Sequence, residues 1–344
     1  MKVSIGTKTK DGPWGGGNLF AINLKNFLQA NGIKVINNLK EDDIDLILIT
    51  EPRKTSESSA YTHTQVVNYL KYINNTTLVV HRINECDERK NTNYINKYIL
   101  EANKIADHTV FVSSWLKNLY LDQGMENVNK EVILSGSDHE VFNSKNKPLW
   151  TKSEKLSLVT HHWGANWNKG FTVYEYIDNL LDKDKWSELI EFTYIGNLPN
   201  NFKFKNTKVI SPLSGKELAD QLKKSHVYIT GSINEPSGNH HIEGALCGLP
   251  VLYLNSGGIP EYCEKFGLEY NLENIETKIF EIMNNYEKYF CLTEKYPFKA
   301  DKMSMDYLNL FKSMLKNREE ILSNRKIKFH SNPLITSLYR KIKL

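Results

Sequence analysis

The sequence predicts an α/β protein made of two doubly wound domains that face a central cleft. Short apolar, β-branched runs alternate with stretches of helical periodicity along most of the 344 residues. The alternation comes in two series, parted by the polar, proline-bearing stretch Asn143 to Ser153 (N-S-K-N-K-P-L-W-T-K-S), which reads as a linker. A chain with 40% hydrophobic and 24% charged residues has an ordinary globular balance, and at this length it can bury two cores.

In the first series, Lys2 to Gly6 is a strand, and the loop D-G-P-W-G-G-G-N leads from it into a helix. Phe20, Leu24, Phe27 and Leu28 recur there at helical spacing, and Gly32 ends the run. Gly15, Gly16 and Gly17 permit close backbone approach or a flexible turn. They lack the G-x-G-x-x-G order of a dinucleotide fingerprint, which argues against a nicotinamide or flavin enzyme. Ile33 to Ile36 and Asp45 to Thr50 are further strands, the second apolar enough for the middle of a parallel sheet. A helix over about Thr62 to Ile73 precedes T-L-V-V-H-R-I-N-E-C-D-E-R-K, in which His81 follows four strand residues and reaches the carboxyl edge. Arg82, Glu85, Asp87 and Arg89 follow as polar candidates for contacting an acceptor, or as a solvated loop. A-D-H-T-V-F-V-S-S-W-L-K-N-L-Y is strand then helix, with Ser113 or Ser114 as cap. V-I-L-S-G-S-D closes the series.

The second series begins with a strand over Leu156 to Thr160. The loop H-H-W-G-A-N-W-N-K-G-F and a helix ending near Leu181 follow. E-F-T-Y-I-G is a strand, V-I-S-P-L-S-G-K-E-L-A-D-Q-L-K-K a short strand with a capped helix, and H-V-Y-I-T the strand feeding Gly231 to Glu261. In that last stretch Glu235 sits in a loop with Pro236 and Gly238, while Glu243 enters a short helix stopped by Gly248. A loop and first helical turn at the carboxyl edge of a parallel sheet attract phosphate, and a glutamate one turn on can accept from the diol of a ribose. The alternative is an ordinary turn and a carboxylate that complements the helix N-terminus. Leu272 to Tyr286 and Asp301 to Leu322 read as closing helices.

Glu-x7-Glu, followed by G-A-L-C-G-L-P-V and G-G-I-P-E, resembles the donor-site signature of glycosyltransferase family 4, retaining sugar transferases of GT-B fold with two Rossmann-like domains. The resemblance implies an acceptor domain over residues 1–147 that recovers a crossing helix from about 302–344, and a nucleotide-sugar donor domain over residues 148–301. It implies catalytic roles for Glu235, Lys169 and His81, with Glu235 and His81 touching the donor sugar and Lys169 the diphosphate. It assigns Glu243 to the ribose, and the backbone around Ser237, Gly238 and Asn239 to the sugar or diphosphate. Gly16 and Gly17 would face the diphosphate across the cleft, with Gly257 and Gly258 completing the donor site. The family usually has an arginine about five positions before such a lysine, where this chain reads W-G-A-N; Asn166 or Arg82 is the expected substitute. Ser135 likewise replaces the family's usual asparagine. The partners implied are a nucleotide-sugar donor, with UDP or GDP as its nucleotide, and a glycan, lipid-linked or protein acceptor. Neither metal nor a separate cofactor is required.

Other features narrow the function. A net charge of +4 is too mild and dispersed to argue for nucleic acid. Cys86, Cys247, Cys263 and Cys291 have no C-x-x-C or metal spacing and read as reduced thiols of a cytoplasmic protein. The start K-V-S-I-G is unlike a cleavable signal, and no run is long enough for a membrane span. Asp43-x-Asp45 and Asp182-x-Asp184 match the manganese pattern of the other major glycosyltransferase fold, but lie before a strand and in a charged turn. The pairs His161-His162 and His240-His241 point their neighbours apart, so each is expected to give one imidazole to the cleft rather than to zinc. Beyond Glu320 the tail is basic and apolar, which reads either as a peripheral membrane contact at the inner face of the cell membrane or as an end packed on the first domain. A nucleotide-sugar epimerase or a non-catalytic sugar-nucleotide-binding subunit would fit the same architecture.

Overall fold

The computed structural model describes residues 1–325 and 327, apart from 13, 127 and 128. The first series folds as β1 (Lys2–Ile5), α1 (Gly15–Ala30), β2 (Lys34–Ile36), β3 (Leu46–Ile49), α2 (His63–Tyr72), β4 (Leu78–Ile83), α3 (Asp87–Lys90), α4 (Ile95–Asn103), β5 (His108–Phe111), α5 (Ser114–Asp122) and β6 (Lys130–Val132). These strands form one parallel sheet in the order β2-β1-β3-β4-β5-β6. Every residue of β3 and β4 is buried, as expected of central strands covered on both faces.

The second series folds as β7 (Leu156–His162), a 3-10 turn over Trp167–Lys169, α6 (Phe171–Leu180), α7 (Asp184–Leu189), β8 (Ile190–Gly196), β9 (Lys208–Ile210), α8 (Gly215–Leu222), β10 (Val227–Thr230), α9 (Asn239–Leu246), β11 (Val251–Leu254), α10 (Ile259–Cys263), β12 (Gly267–Tyr270), α11 (Ile275–Asn284) and α12 (Tyr286–Thr293). Its sheet runs β12-β11-β10-β7-β8-β9, again parallel. Read from β9 this is the 3-2-1-4-5-6 order of dinucleotide-binding domains, whose ligands sit where the order reverses, between β7 and β10. The α/β, two-sheet fold expected from the sequence is thus the fold observed.

The chain returns to the first sheet after α12. Ser137 and Lys299 form a parallel bridge, and a Cβ on Gly136 would lie 2.3 Å from Lys299 O, so only glycine permits this crossing. From there α13 (Ala300–Lys316) buries Met303, Tyr307, Phe311 and Met314 in one core with Phe20, Leu24 and Leu28 of α1. A break at Asn317 separates α13 from α14 (Arg318–Asn324), where one helix was expected. Arg318 pairs with Asp45 at 2.8 Å and Arg325 with Asp107 at 2.6 Å, tying this end to the first domain. The basic tail lies outside the described residues, Arg325 and Ile327 excepted.

The domains also meet directly. Glu261 of α10 accepts from Ser114 N at 2.9 Å and Trp115 N at 3.0 Å, capping α5 from the opposite domain. Tyr262 donates its hydroxyl to Val112 O at 2.6 Å and accepts from Ser135 N at 2.9 Å. The G-G-I-P-E-Y run thus seats the second domain on the first.

Candidate active site

The loops after β7 and β10 converge at the strand-order reversal, and the first domain closes the space above them. The resulting cleft holds about 440 Å³ and takes lining from both domains. Gly170 and Gly231 pack against each other behind it: with φ +111°, a Cβ on Gly170 would approach Gly231 to 2.7 Å. Their close packing brings the 3-10 turn beside the β10 loop, where Ile233 N donates to Asn168 O at 2.8 Å.

That packing places Lys169 against Glu235, Nζ to Oε2 at 2.5 Å, both largely buried. The other oxygen of Glu235 faces Arg89 of α3, whose Nε lies 3.1 Å from Oε1. Arg89 in turn bonds Glu85, at 3.0 and 3.2 Å. Asn168 donates to Arg89 O and Asn234 to Glu88 O, so the short helix α3 is held across the domain boundary. Burial pushes the Glu235 carboxyl up, but Arg89 and Lys169 outweigh it and hold it well below the usual carboxylate range. Burial, and then the charge of Arg89, lowers Lys169 from the ordinary lysine value despite Glu235.

Glu243, buried in α9, contacts His161 at 2.8 Å through Oε2. An ionised carboxylate only accepts, so the imidazole proton is on Nε2; Nδ1 is left to accept from the Tyr228 hydroxyl at 3.1 Å. His161 thereby orients Glu243 and leaves Oε1 with no hydrogen bond among the described residues. Gly238 opens α9 at φ +75° with no side-chain cap, so the first-turn N–H groups remain available beside Ser237, Asn239 and His240 at the cleft wall.

Arg82 enters from β4. It is 5% exposed, lines the cleft, stacks 3.8 Å above the Phe20 ring and makes no ion pair among the described residues. Burial lowers it from the ordinary arginine value. A buried guanidinium without a carboxylate is costly unless an anion reaches it.

Gly16, Gly17, Lys169, Glu235, Ser237, Gly238, Asn239 and Glu243 therefore share one cleft. A Cβ on Gly16 would stand 3.2 Å from the Asn239 side chain, which brings α1 and α9 together across the gap. Four expected residues lie elsewhere. His81 points to the other face of its strand, where Nδ1 meets Asn103 Oδ1 at 3.1 Å and burial lowers it to about 4. Asn166 is exposed and accepts from Asn168 N, capping the 3-10 turn. Gly257 and Gly258 back the Glu235 loop: a Cβ on either would strike backbone oxygen of Glu235 or Pro236 within 2.4 Å.

Of the histidine pairs, His161, His162 and His240 line the cleft and His241 is packed away, so the first pair gives both rings to the site. Among the described residues no cluster of His, Cys, Asp or Glu is arranged to hold a metal ion. Asp43 is paired with Lys2, Asp45 with Arg318 and Asp182 with Lys205, all away from the cleft. Sequence reasoning left Arg89 as a loose candidate and missed the Trp14–Trp163 contact, because both depend on how the two domains meet.

No protein-family model matches the sequence, and no curated protein matches it. Solved structures do match. A glycosyltransferase from Rickettsia africae superposes with a TM-score of 0.66 at 15% identity, over 92% of this chain and 98% of that one. HepE of Anabaena, solved with UDP-glucose, gives 0.67 at 13% identity over 91% and 99%. The sucrose-phosphate synthase of Thermosynechococcus elongatus gives 0.62 at 13% over 92% and 99%. Over almost its whole length, the chain shares the two-domain GT-B fold of these glycosyltransferases.

Proposed function

We propose that the chain is a retaining glycosyltransferase that moves a sugar from a nucleotide-sugar donor to an acceptor hydroxyl. The observation that carries this reading is the charge arrangement at the strand-order reversal. Lys169 and the uncapped α9 N-terminus flank one space, with the unmatched Arg82 opposite and two glutamates between. Lys169, Arg82 and the α9 amides receive the diphosphate, and Arg82 takes the part of the arginine absent from the β7 loop. Glu243 accepts from the ribose diol through the oxygen His161 leaves open. Glu235 accepts from hydroxyls of the donor sugar.

As the anomeric C–O bond to the diphosphate breaks, the acceptor oxygen bonds the same carbon from the same face, and its proton passes to a diphosphate oxygen. Charge building on the leaving group is then stabilised by preorganised donors, an effect of several kcal/mol, roughly 3 for one such group. The UDP-glucose complex of HepE supports uridine diphosphate sugars as the first donors to try.

The test is release of nucleoside diphosphate from a panel of nucleotide sugars, with the anomer of the product read by NMR. One donor should be consumed with its anomeric configuration kept, and the rate should persist in excess EDTA. Inversion, an epimerised donor, or no turnover of any donor would each contradict the proposal.

A further inference from the structure

Two indoles meet at the mouth of the cleft, one from each domain. Trp14, in the loop before α1, and Trp163, just after β7, stand 5.7 Å apart at 44°, and both line the cleft. Each keeps about two fifths of its surface exposed, 41% and 43%. Neither indole N–H has a hydrogen bond among the described residues, whereas that of Trp167 donates to Thr172. The chain fixes these rings in place: Lys10 stacks 3.9 Å from the Trp14 ring, and Asn197 holds Trp163 O at 2.8 Å. Large apolar surface kept in solvent and aimed into a cleft marks a binding platform rather than a core residue.

From Trp14 the cleft wall continues along one face of α1 through Leu19, Ile22, Asn23 and Asn26. Neither asparagine amide is engaged by another group among the described residues. At 1.5 Å per residue the stretch from Trp14 to Asn26 runs about 18 Å, enough for a short oligosaccharide. No α1 residue lining the cleft is a lysine or arginine, and Lys10 at Trp14 is paired with Glu57, which disfavours a polyanion such as a nucleic acid strand. It has neither the continuous apolar area a lipid chain would cover nor an exposed strand edge for an extended peptide. Apolar groups followed by free amides suit a pyranose chain, in which the C–H face of a ring stacks on the electron-rich face of an indole while hydroxyls bond to amides.

We propose that the acceptor is a neutral carbohydrate chain, lying along α1 with one ring against Trp14 and Trp163. The inference rests on the transferase reading above, and it names the acceptor class within it.

Saturation-transfer NMR with a panel of unlabelled neutral oligosaccharides, run on the full chain with UDP present, tests it without requiring turnover. The expected result is saturation of at least one oligosaccharide, lost in Trp14→Ala and in Trp163→Ala and retained in Trp14→Tyr. Where a donor turns over, the acceptor KM should rise about tenfold in Trp14→Ala, the loss of one aromatic stacking contact. No saturation of any oligosaccharide, equal saturation in both alanine variants, or transfer to peptide or DNA in place of glycan would overturn the proposal. Failure of every nucleotide sugar to react, with oligosaccharide binding at the tryptophans intact, would instead count against the transferase reading alone. Because both rings are partly exposed, melting temperatures within about 2 °C of wild type are expected, and they check that each variant folds.

Discussion

Lys169 does two things at once in the cleft. Its ammonium neutralises half of Glu235, and it points at the space where a leaving group would sit. Glu235 is held from the other side by Arg89, so removing either partner leaves one oxygen of a buried carboxylate without its cation. Lys169→Ala is therefore predicted to lower kcat/KM by at least about 100-fold, of order 3 kcal/mol. Steady-state kinetics with saturating acceptor checks this, and a loss below about tenfold would remove Lys169 from the diphosphate. Much of this residue set was legible in the sequence. A loop glutamate beside Pro236 and Gly238, and a second one turn into a helix, can be placed from local chain chemistry. His81 was misplaced because a position in a strand fixes the edge but not the face. One residue further on, Arg82 takes the face that looks into the cleft.

At the scale of elements, the strands were readable because parallel sheets covered on both faces leave apolar runs such as L-I-L-I and V-L-Y-L. Short elements were harder. The sequence reading passed over β12 (G-L-E-Y), an edge strand whose Glu269 is exposed, and over the single-turn α3. Nor did it show that α5 would be capped by a carboxylate from the other domain. Glu261 accepts two first-turn amides of α5 and also meets the favourable end of that helix dipole. Ser113, the N-cap itself, still accepts from Leu116 N at 3.2 Å, so Glu261→Ala is predicted to lower stability by about 1 kcal/mol, the scale of lost carboxylate contacts at a helix N-terminus. It should also speed proteolysis near Ser114. Chemical denaturation measures the first effect; an unchanged midpoint would mean that water replaces the carboxylate without cost.

For the whole molecule, the two-domain plan followed from two series and a linker, whereas the cleft did not, since its charges come from segments far apart in sequence. Closing the cleft buries His162, His240 and His241 with His161, Lys169 and Glu235 around them. Burial keeps these rings neutral, lowering His241 to about 3, as it lowers His81 to about 4 in the first domain. The unfolded chain protonates histidine near pH 6.5 and the native chain resists, so stability is full above that pH and is lost as pH falls below it. Each such group costs about 1.4 kcal/mol per pH unit in that window. The melting temperature should hold between about pH 8 and 7 and drop steeply by pH 5.5, with a shallower drop in His241→Asn. A flat profile down to pH 5.5 would mean that the buried rings take up protons without penalty.

The central claim is that the space between Lys169, Arg82 and the α9 N-terminus exists to hold a diphosphate. Isothermal titration calorimetry of the full chain with UDP and with GDP tests it most directly. The account predicts that one of the two binds at a single site, that Arg82→Ala weakens it about tenfold or more, as loss of a charged hydrogen bond would, and that Glu243→Ala weakens it as well. Binding of neither nucleotide, or binding indifferent to both substitutions, would contradict the account.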